Sequence, residues 1–242
     1  MSVETFEIEI RSTKPLAPSV KEFVFSRTDN RSLLFAPGQW LNLVLPTAGG
    51  EIRRAYSIAS PPVQSADFEL AVTEVTGGPG SGYLCGLEPG ARLSAIGPHG
   101  FFTREARDPA PALMVATGTG VTPMRSMVLA ALAAQSPAPM WLLVGVRHED
   151  DMLYRDQFEA MARTNPNVRA FYTLSQGAPA WTGRRGYVQE HVPALLDELT
   201  EQRAGDPHVY ICGLEKMVSA VRQLVRRDLF IPRERVHSER YD

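Results

Sequence analysis

Residues 112–123, ALMVATGTGVTP, carry an apolar run into a glycine turn, and MRSMVLAALAAQ (124–135) behind it reads as a helix. A short apolar run, a turn at Gly118-Thr119-Gly120 and a helix make one strand–turn–helix unit. The unit recurs downstream. WLLVGVR (141–147) precedes MLYRDQFEAMAR (152–163), RAFYTLS (169–175) precedes YVQEHVPALLDELTEQ (187–202), and HVYICG (208–213) precedes KMVSAVRQLVRRDL (216–229). Repeated strand–helix units predict a parallel sheet with helices on both faces. Such sheets bind ligands beyond the carboxyl ends of their strands, so the residues just after each run are the candidates for function.

Upstream the pattern changes. FEIEIRS (6–12), EFVFSR (22–27), WLNLVLP (40–46), RRAYSIAS (53–60), FELAVTEV (68–75) and ARLSAIGP (91–98) are short alternating segments separated by turn residues such as Ala36-Pro37-Gly38. Six strands at this spacing predict an antiparallel barrel or sandwich, with one short helix over Ser81–Leu87. EARDPAPA (105–112) reads as a linker. The expectation is a two-domain β plus α/β protein: an antiparallel β-barrel over 1–106 and a parallel α/β domain over 107–242.

Bulk properties narrow the function. The 242 residues are 44% hydrophobic and 21% charged, which suits a packed globular chain. A net charge of -2 gives no electrostatic reason to expect nucleic acid or an anionic membrane. Two cysteines, Cys85 and Cys212, exclude a disulfide framework and a four-thiolate iron–sulfur cluster within these residues, and no metal site is expected. MSVETFEIEI shows no basic n-region, and no apolar stretch approaches a membrane span, so a cytoplasmic protein is expected.

Four short segments carry chemistry. Gly118 to Pro123, preceded by Thr117, allow a phosphate to approach the backbone, and the helix behind them offers free N–H groups; the plain alternative is a tight turn without a ligand. Cys212-Gly213-Leu214 ends another predicted parallel strand, which turns a small thiol toward the ligand crevice or into the core. Arg54-Ala55-Tyr56-Ser57 combines a cation suited to pyrophosphate, a ring able to stack on a heterocycle, and a hydroxyl donor. Gly78 to Leu84, with Gly80 and Ser81, offers backbone N–H groups and a hydroxyl for a further phosphate. Each alone is explained as well by ordinary structure; all four in this order are not.

The set resembles the ferredoxin–NADP reductase family across nearly the whole chain. Arg54, Tyr56 and Ser57 match its RxYS flavin motif, and PGSGYLCGLEPG (79–90) its second flavin segment, where Leu84 and Pro89-Gly90 hold the fold. Gly118 to Pro123 match its GTGxxP motif, Cys212-Gly213-Leu214 its CG motif, and Gly38-Gln39 a turn common in the family. Glu239-Arg240-Tyr241 fits the plant-type ending, in which a terminal tyrosine stacks on the flavin, with Asp242 added.

The resemblance implies a flavoprotein reductase that moves hydride between NADPH and bound FAD. It gives Ser57, Cys212 and Glu239 the catalytic surroundings, with no nucleophile among them. FAD would be held by Arg54, Ala55, Tyr56, Ser57, Gly80, Ser81 and Tyr241. NADP would be held by Thr117, Gly118, Thr119, Gly120, Pro123, Cys212, Gly213 and Leu214, and its 2′-phosphate and adenine by Ser175, Arg184, Arg185 and Tyr187. Gln176 stands where an arginine is common, which keeps NAD open as a donor. FMN is the alternative flavin; the short Thr76–Gly80 loop lacks an aromatic for the adenine of FAD. Electrons would pass to a separate ferredoxin or flavodoxin. The alternatives are an NADH-dependent reductase component of an oxygenase system, or a non-enzymatic flavin-bearing subunit.

Overall fold

The computed structural model describes residues 4–47, 49–201 and 205–241. The chain divides into two compact units, Met1–Ala106 with Thr122–Ala134, and Arg107–Val121 with Gln135–Asp242.

The first unit contains β1 (Glu4–Ala17), β2 (Val20–Arg27), β3 (Trp40–Thr47), β4 (Gly50–Ser57), β5 (Asp67–Thr73), the helix α1 (Pro79–Cys85) and β6 (Arg92–His99). The strands form one antiparallel sheet in the order β4-β3-β6-β1-β2-β5. Its two edges meet at a single bridge, Ile58 to Leu70, so the sheet curls into a partly closed barrel. Alternation drives this: in β3, Leu41, Leu43 and Leu45 are buried while Trp40, Asn42 and Val44 are only half-buried. They pack with Ile8, Ile10, Phe23, Phe25, Phe68 and Leu70. Each such side chain contributes about 1.5–3 kcal/mol on burial.

Several boundaries differ from the sequence reading. β1 runs through Lys14-Pro15, and register shifts at Ile10/Ser12 and Pro15/Ala17 absorb the irregular stretch. The helix α1 starts at Pro79 rather than Ser81, because a proline at the first helical positions gives up only an N–H that has no intrahelical partner. β4 stops at Ser57, and Ile58 beyond it makes the closing bridge to Leu70 and donates to Gln39 O at 3.0 Å.

A further helix, α2 (Val121–Ala133), has every residue from Val121 to Val128 buried. From Thr122 onward it groups with the first unit. There Arg125, 7% exposed, donates to Ala59 O at 2.7 Å and to Glu69 Oε2 at 2.5 Å, and the Ser126 hydroxyl donates to Ser60 O at 2.7 Å. A buried charge is tolerated here because it is paired and hydrogen-bonded.

The second unit holds β7 (Ala112–Thr117), β8 (Met140–Val146), β9 (Val168–Leu174), β10 (Arg184–Arg185), β11 (His208–Leu214) and β12 (Val236–Tyr241). All pair in parallel, in the order β10-β9-β8-β7-β11-β12. The helices α4 (Val192–Glu201) and α5 (Glu215–Gln223) pack Leu195, Leu199, Val218 and Val221 against Leu113, Val115, Val209 and Ile211. A third helix, α3 (Arg155–Thr164), joins β8 to β9 and buries Phe158. From β7 the chain builds outward to β10, then returns to lay β11 and β12 on the other side of β7. The topological switch point therefore lies between β7 and β11, and sheets of this kind bind ligands beyond the carboxyl ends of the strands there. Among the described residues, no helix is long and apolar enough to cross a membrane.

Candidate functional site

At the switch point two strand ends meet backbone to backbone. β7 ends at Thr117, and the Gly118–Gly120 turn leads into α2. A Cβ on Gly120 would overlap the Cys212 carbonyl, and one on Gly213, whose φ is +142°, would overlap the Thr117 hydroxyl. The Leu214 N–H donates to that hydroxyl at 3.3 Å. Only glycine permits this closeness at either position. Thr119 is half-buried beside it, and Pro123 is buried in the first turn of α2, where its missing N–H costs no helix bond. The Val121 N–H turns back to the Gly118 and Thr119 carbonyls, and the positive end of the α2 dipole behind the turn suits an anion.

Cys212 is fully buried, and it pairs in register with Ala116 on β7 and Glu239 on β12. Burial pushes its thiol well above the usual range, and the Glu239 charge adds to this; hydrogen bonds to the Tyr241 side chain and the Gly213 backbone act in the opposite sense. The group is a protonated thiol at neutral pH, a small polarisable wall rather than a nucleophile. Thus Cys212, Glu239 and Tyr241 are assembled by adjacent strands, with Tyr241 opposite Leu214. Val236–Tyr241 carries no strand signal in sequence, because its residues alternate without an apolar set; parallel pairing along all six makes it the sheet edge. Asp242 lies outside the described residues.

The next strand ends form a second cluster. Ser175 N–H donates to Val146 O and Gln176 N–H to Arg147 O, both at 3.0 Å, while His148 Nδ1 lies 3.0 Å from Gln176 O. Arg147 is exposed at the end of β8 and makes no ion pair or side-chain hydrogen bond among the described residues. Arg185, expected from sequence at the 2′-phosphate, turns its guanidinium to the backbone. Its guanidinium donates to the carbonyls of Gly177 (2.9 Å), Ala178 (2.8 Å), Pro179 (3.4 Å) and Trp181 (2.7 Å). Arg184 is half-buried, 5.3 Å from the Phe171 ring centre. Tyr187 is 63% exposed, its N–H fixed by Glu190 Oε1 at 2.9 Å.

In the first unit, Arg54 and Tyr56 alternate on β4, and Ser57 ends it opposite Trp40. Arg54 is exposed and donates to the neighbouring Arg53 carbonyl at 2.9 Å. Ala55 is exposed and Ser57 buried. Tyr56 is half-buried, its hydroxyl pushed up to about 12 by burial and the nearby Cys85, with Arg54 opposing. Gly80 lets the start of α1 come close to Arg54: a Cβ there would lie 3.0 Å from Arg54 Cγ. Ser81 Oγ accepts the Val75 N–H at 3.0 Å and keeps its own proton to donate. A cation beside the free N–H groups of a helix's first turn fits a pyrophosphate, and Tyr56 with Ser57 fits a polar ring system.

The profile of the oxidoreductase FAD-binding domain matches residues 7–103, and that of the oxidoreductase NAD-binding domain matches 114–223. The chain is 56% identical to ferredoxin–NADP reductase B of Sorangium cellulosum (strain So ce56), with both chains covered completely. The chain belongs to the ferredoxin–NADP reductase family.

Similarity extends to other reductases. The phenol hydroxylase P5 protein of Acinetobacter pittii (strain PHEA-2) is 31% identical over 99% of this chain and 66% of its own length. Among solved structures, an Amycolatopsis cytochrome P450 reductase superposes with a TM-score of 0.84 at 27% identity, covering 98% of this chain and 70% of that one. A ferredoxin NADP+ reductase from Neisseria gonorrhoeae, with bound FAD and NADP, superposes at 0.78 and 22% identity over 98% of each chain. Of the residues expected from sequence to meet FAD, Arg54, Tyr56, Ser57 and Ser81 lie in the first unit; of those expected to meet the nucleotide, Thr117–Gly120, Ser175 and Cys212–Leu214 lie in the second, together with Glu239 and Tyr241.

Proposed function

We propose that this protein transfers hydride between NADPH and bound FAD and exchanges electrons with a separate ferredoxin-type carrier of the cytoplasm, a ferredoxin or flavodoxin. The observation that carries the reading is the seam at the switch point, where Gly120 and Gly213 bring two strand ends into contact beside Cys212 and Glu239. Full-length identity with a ferredoxin–NADP reductase supports the same chemistry.

Bound FAD would supply the conversion between a two-electron hydride and single electrons. The chain's own residues bind, orient and exclude water. Arg54 and the first turn of α1 would hold the pyrophosphate; Tyr56 would pack on the ring system and Ser57 would donate to it. The Gly118–Gly120 turn takes the dinucleotide phosphates. Cys212 would present an uncharged surface to the nicotinamide, with Glu239 and Tyr241 on the paired strand β12 completing that side of the nucleotide site.

Selection of NADPH rests on Arg147 with Ser175, with Tyr187 as the adenine platform. Losing a charged hydrogen bond costs about 1.5–3 kcal/mol, roughly ten- to a hundred-fold in kcat/KM. The test is steady-state reduction of ferricyanide and of a ferredoxin. The isolated chain reduces both with NADPH preferred, and Arg147→Ala erodes NADPH use while sparing NADH. No diaphorase activity with either nucleotide would make the chain a flavin-bearing subunit instead; a wild-type preference for NADH would favour an oxygenase-type reductase.

A further inference from the structure

We propose that Arg185 is a positioning residue: it holds the 177–181 loop as a wall of the nucleotide's adenosine end and does not itself bind the 2′-phosphate. This rests on the nucleotide reading of the second unit. The loop leaves β9 after Ser175 and returns at β10, which pairs with β9 as Arg184 to Thr173 and Arg185 to Leu174. It therefore stands beyond the carboxyl end of the sheet, where ligands of such sheets bind. Loops without internal secondary structure keep one shape only when their polar groups are tied down.

Here one guanidinium does the tying. Its two terminal nitrogens serve four carbonyls within five residues, Gly177, Ala178, Pro179 and Trp181. The Trp181 indole N–H closes the return at the Arg184 carbonyl, 2.8 Å, and its N–H backbone donates to Ala178 O at 2.9 Å. Arg155 lies 5.7 Å from the Trp181 ring centre. The clamp is itself anchored, because the Arg185 carbonyl lies 2.9 Å from His191 Nε2. A planar fork committed to carbonyls has little left for bidentate capture of a phosphate. Arg147 lacks such commitments and sits beside Ser175 through the Gln176–Arg147 backbone bond. The arginine expected from sequence to meet the phosphate thus shapes the wall, and an arginine from the neighbouring strand end reads the charge.

The experiment compares wild type, Arg185→Ala, Arg185→Lys and Arg185→Gln, with flavin content checked first in each. KM and kcat are measured for NADPH and NADH with ferricyanide, and Trp181 emission is isolated by subtracting Trp181→Phe. The wall is shared by both nucleotides. Arg185→Ala should therefore raise both KM values by about the same factor, tenfold or more, with kcat and the NADPH/NADH ratio unchanged. Trp181 emission should shift to the red, and lysine, with three donors, should recover part of each effect. Loss of NADPH use with NADH spared would overturn the proposal and make Arg185 a phosphate ligand. Unchanged KM values and emission would overturn it by showing that the loop needs no clamp, as would a fall in kcat at constant KM. If Arg185→Ala does not fold, the lysine and glutamine variants decide by the same readouts. A wild type that uses neither nucleotide defeats the functional reading alone, and the emission shift still tests the clamp.

Discussion

Gly120→Ala tests the seam on which the nucleotide site is built. The new Cβ would fall on the Cys212 carbonyl and crowd the Gly213 nitrogen, both backbone atoms that no rotamer change can move. Relief requires β7 and β11 to part. Overpacking of this kind costs about 1–3 kcal/mol, and in a chain of this size each kcal/mol lowers Tm by roughly 2–4 °C, so a fall of about 2–12 °C is expected. Gly118→Ala is the control. Its Cβ would have nothing within 4 Å, but its φ of +52° imposes left-handed strain, about 1–2 kcal/mol. The two variants lose similar stability, yet only Gly120→Ala opens the seam. The assay is calorimetry combined with alkylation of Cys212, which is fully shielded in the native fold. Gly120→Ala should expose Cys212 to alkylation and raise the nucleotide KM at least tenfold, while Gly118→Ala leaves the thiol shielded. A Gly120→Ala protein with wild-type Tm and a shielded Cys212 would refute the close-contact argument.

Two further outcomes follow from the same geometry. Arg54→Ala should weaken flavin retention by about 1.5–3 kcal/mol, the range for a charge-assisted contact, read as a faster loss of flavin on dilution; unchanged retention would remove Arg54 from the site. Cys212, whose thiol is raised chiefly by burial, stays protonated in the folded state where the unfolded chain would ionise. Its contribution is therefore present below the ordinary thiol pKa of about 8.5 and declines as pH rises beyond it. Unfolding free energy should fall with pH above that point, and less steeply in Cys212→Ala; equal slopes would contradict the burial assignment.

Much of the fold was legible because burial imposes a period. WLNLVLP alternates as β3 does, and ALMVAT is continuous because β7 lies between two strands in a sheet with a buried core. The glycine turn and Cys212-Gly213 could be placed because a strand end that touches another backbone admits little else. β12 was not legible, since an edge strand of Val, His, Ser, Glu, Arg and Tyr carries no apolar period. Nor could sequence separate Arg147 from Arg185. Both are arginines near strand ends, and only the folded backbone reveals which one faces four carbonyls. The grouping of α2 with the first unit was hidden for a related reason: Arg125 and Ser126 are ordinary helix residues until Ala59, Ser60 and Glu69 are seen to receive them.

The most direct test of the central claim is the visible spectrum of the purified protein, taken anaerobically before and after addition of NADPH. The protein is expected to be yellow, its flavin, released on denaturation, to be FAD, and its absorbance to bleach on NADPH addition and recover when an oxidised ferredoxin is supplied. Failure to retain flavin after incubation with FAD, or a bound flavin whose spectrum responds to neither NADPH nor NADH, would contradict it.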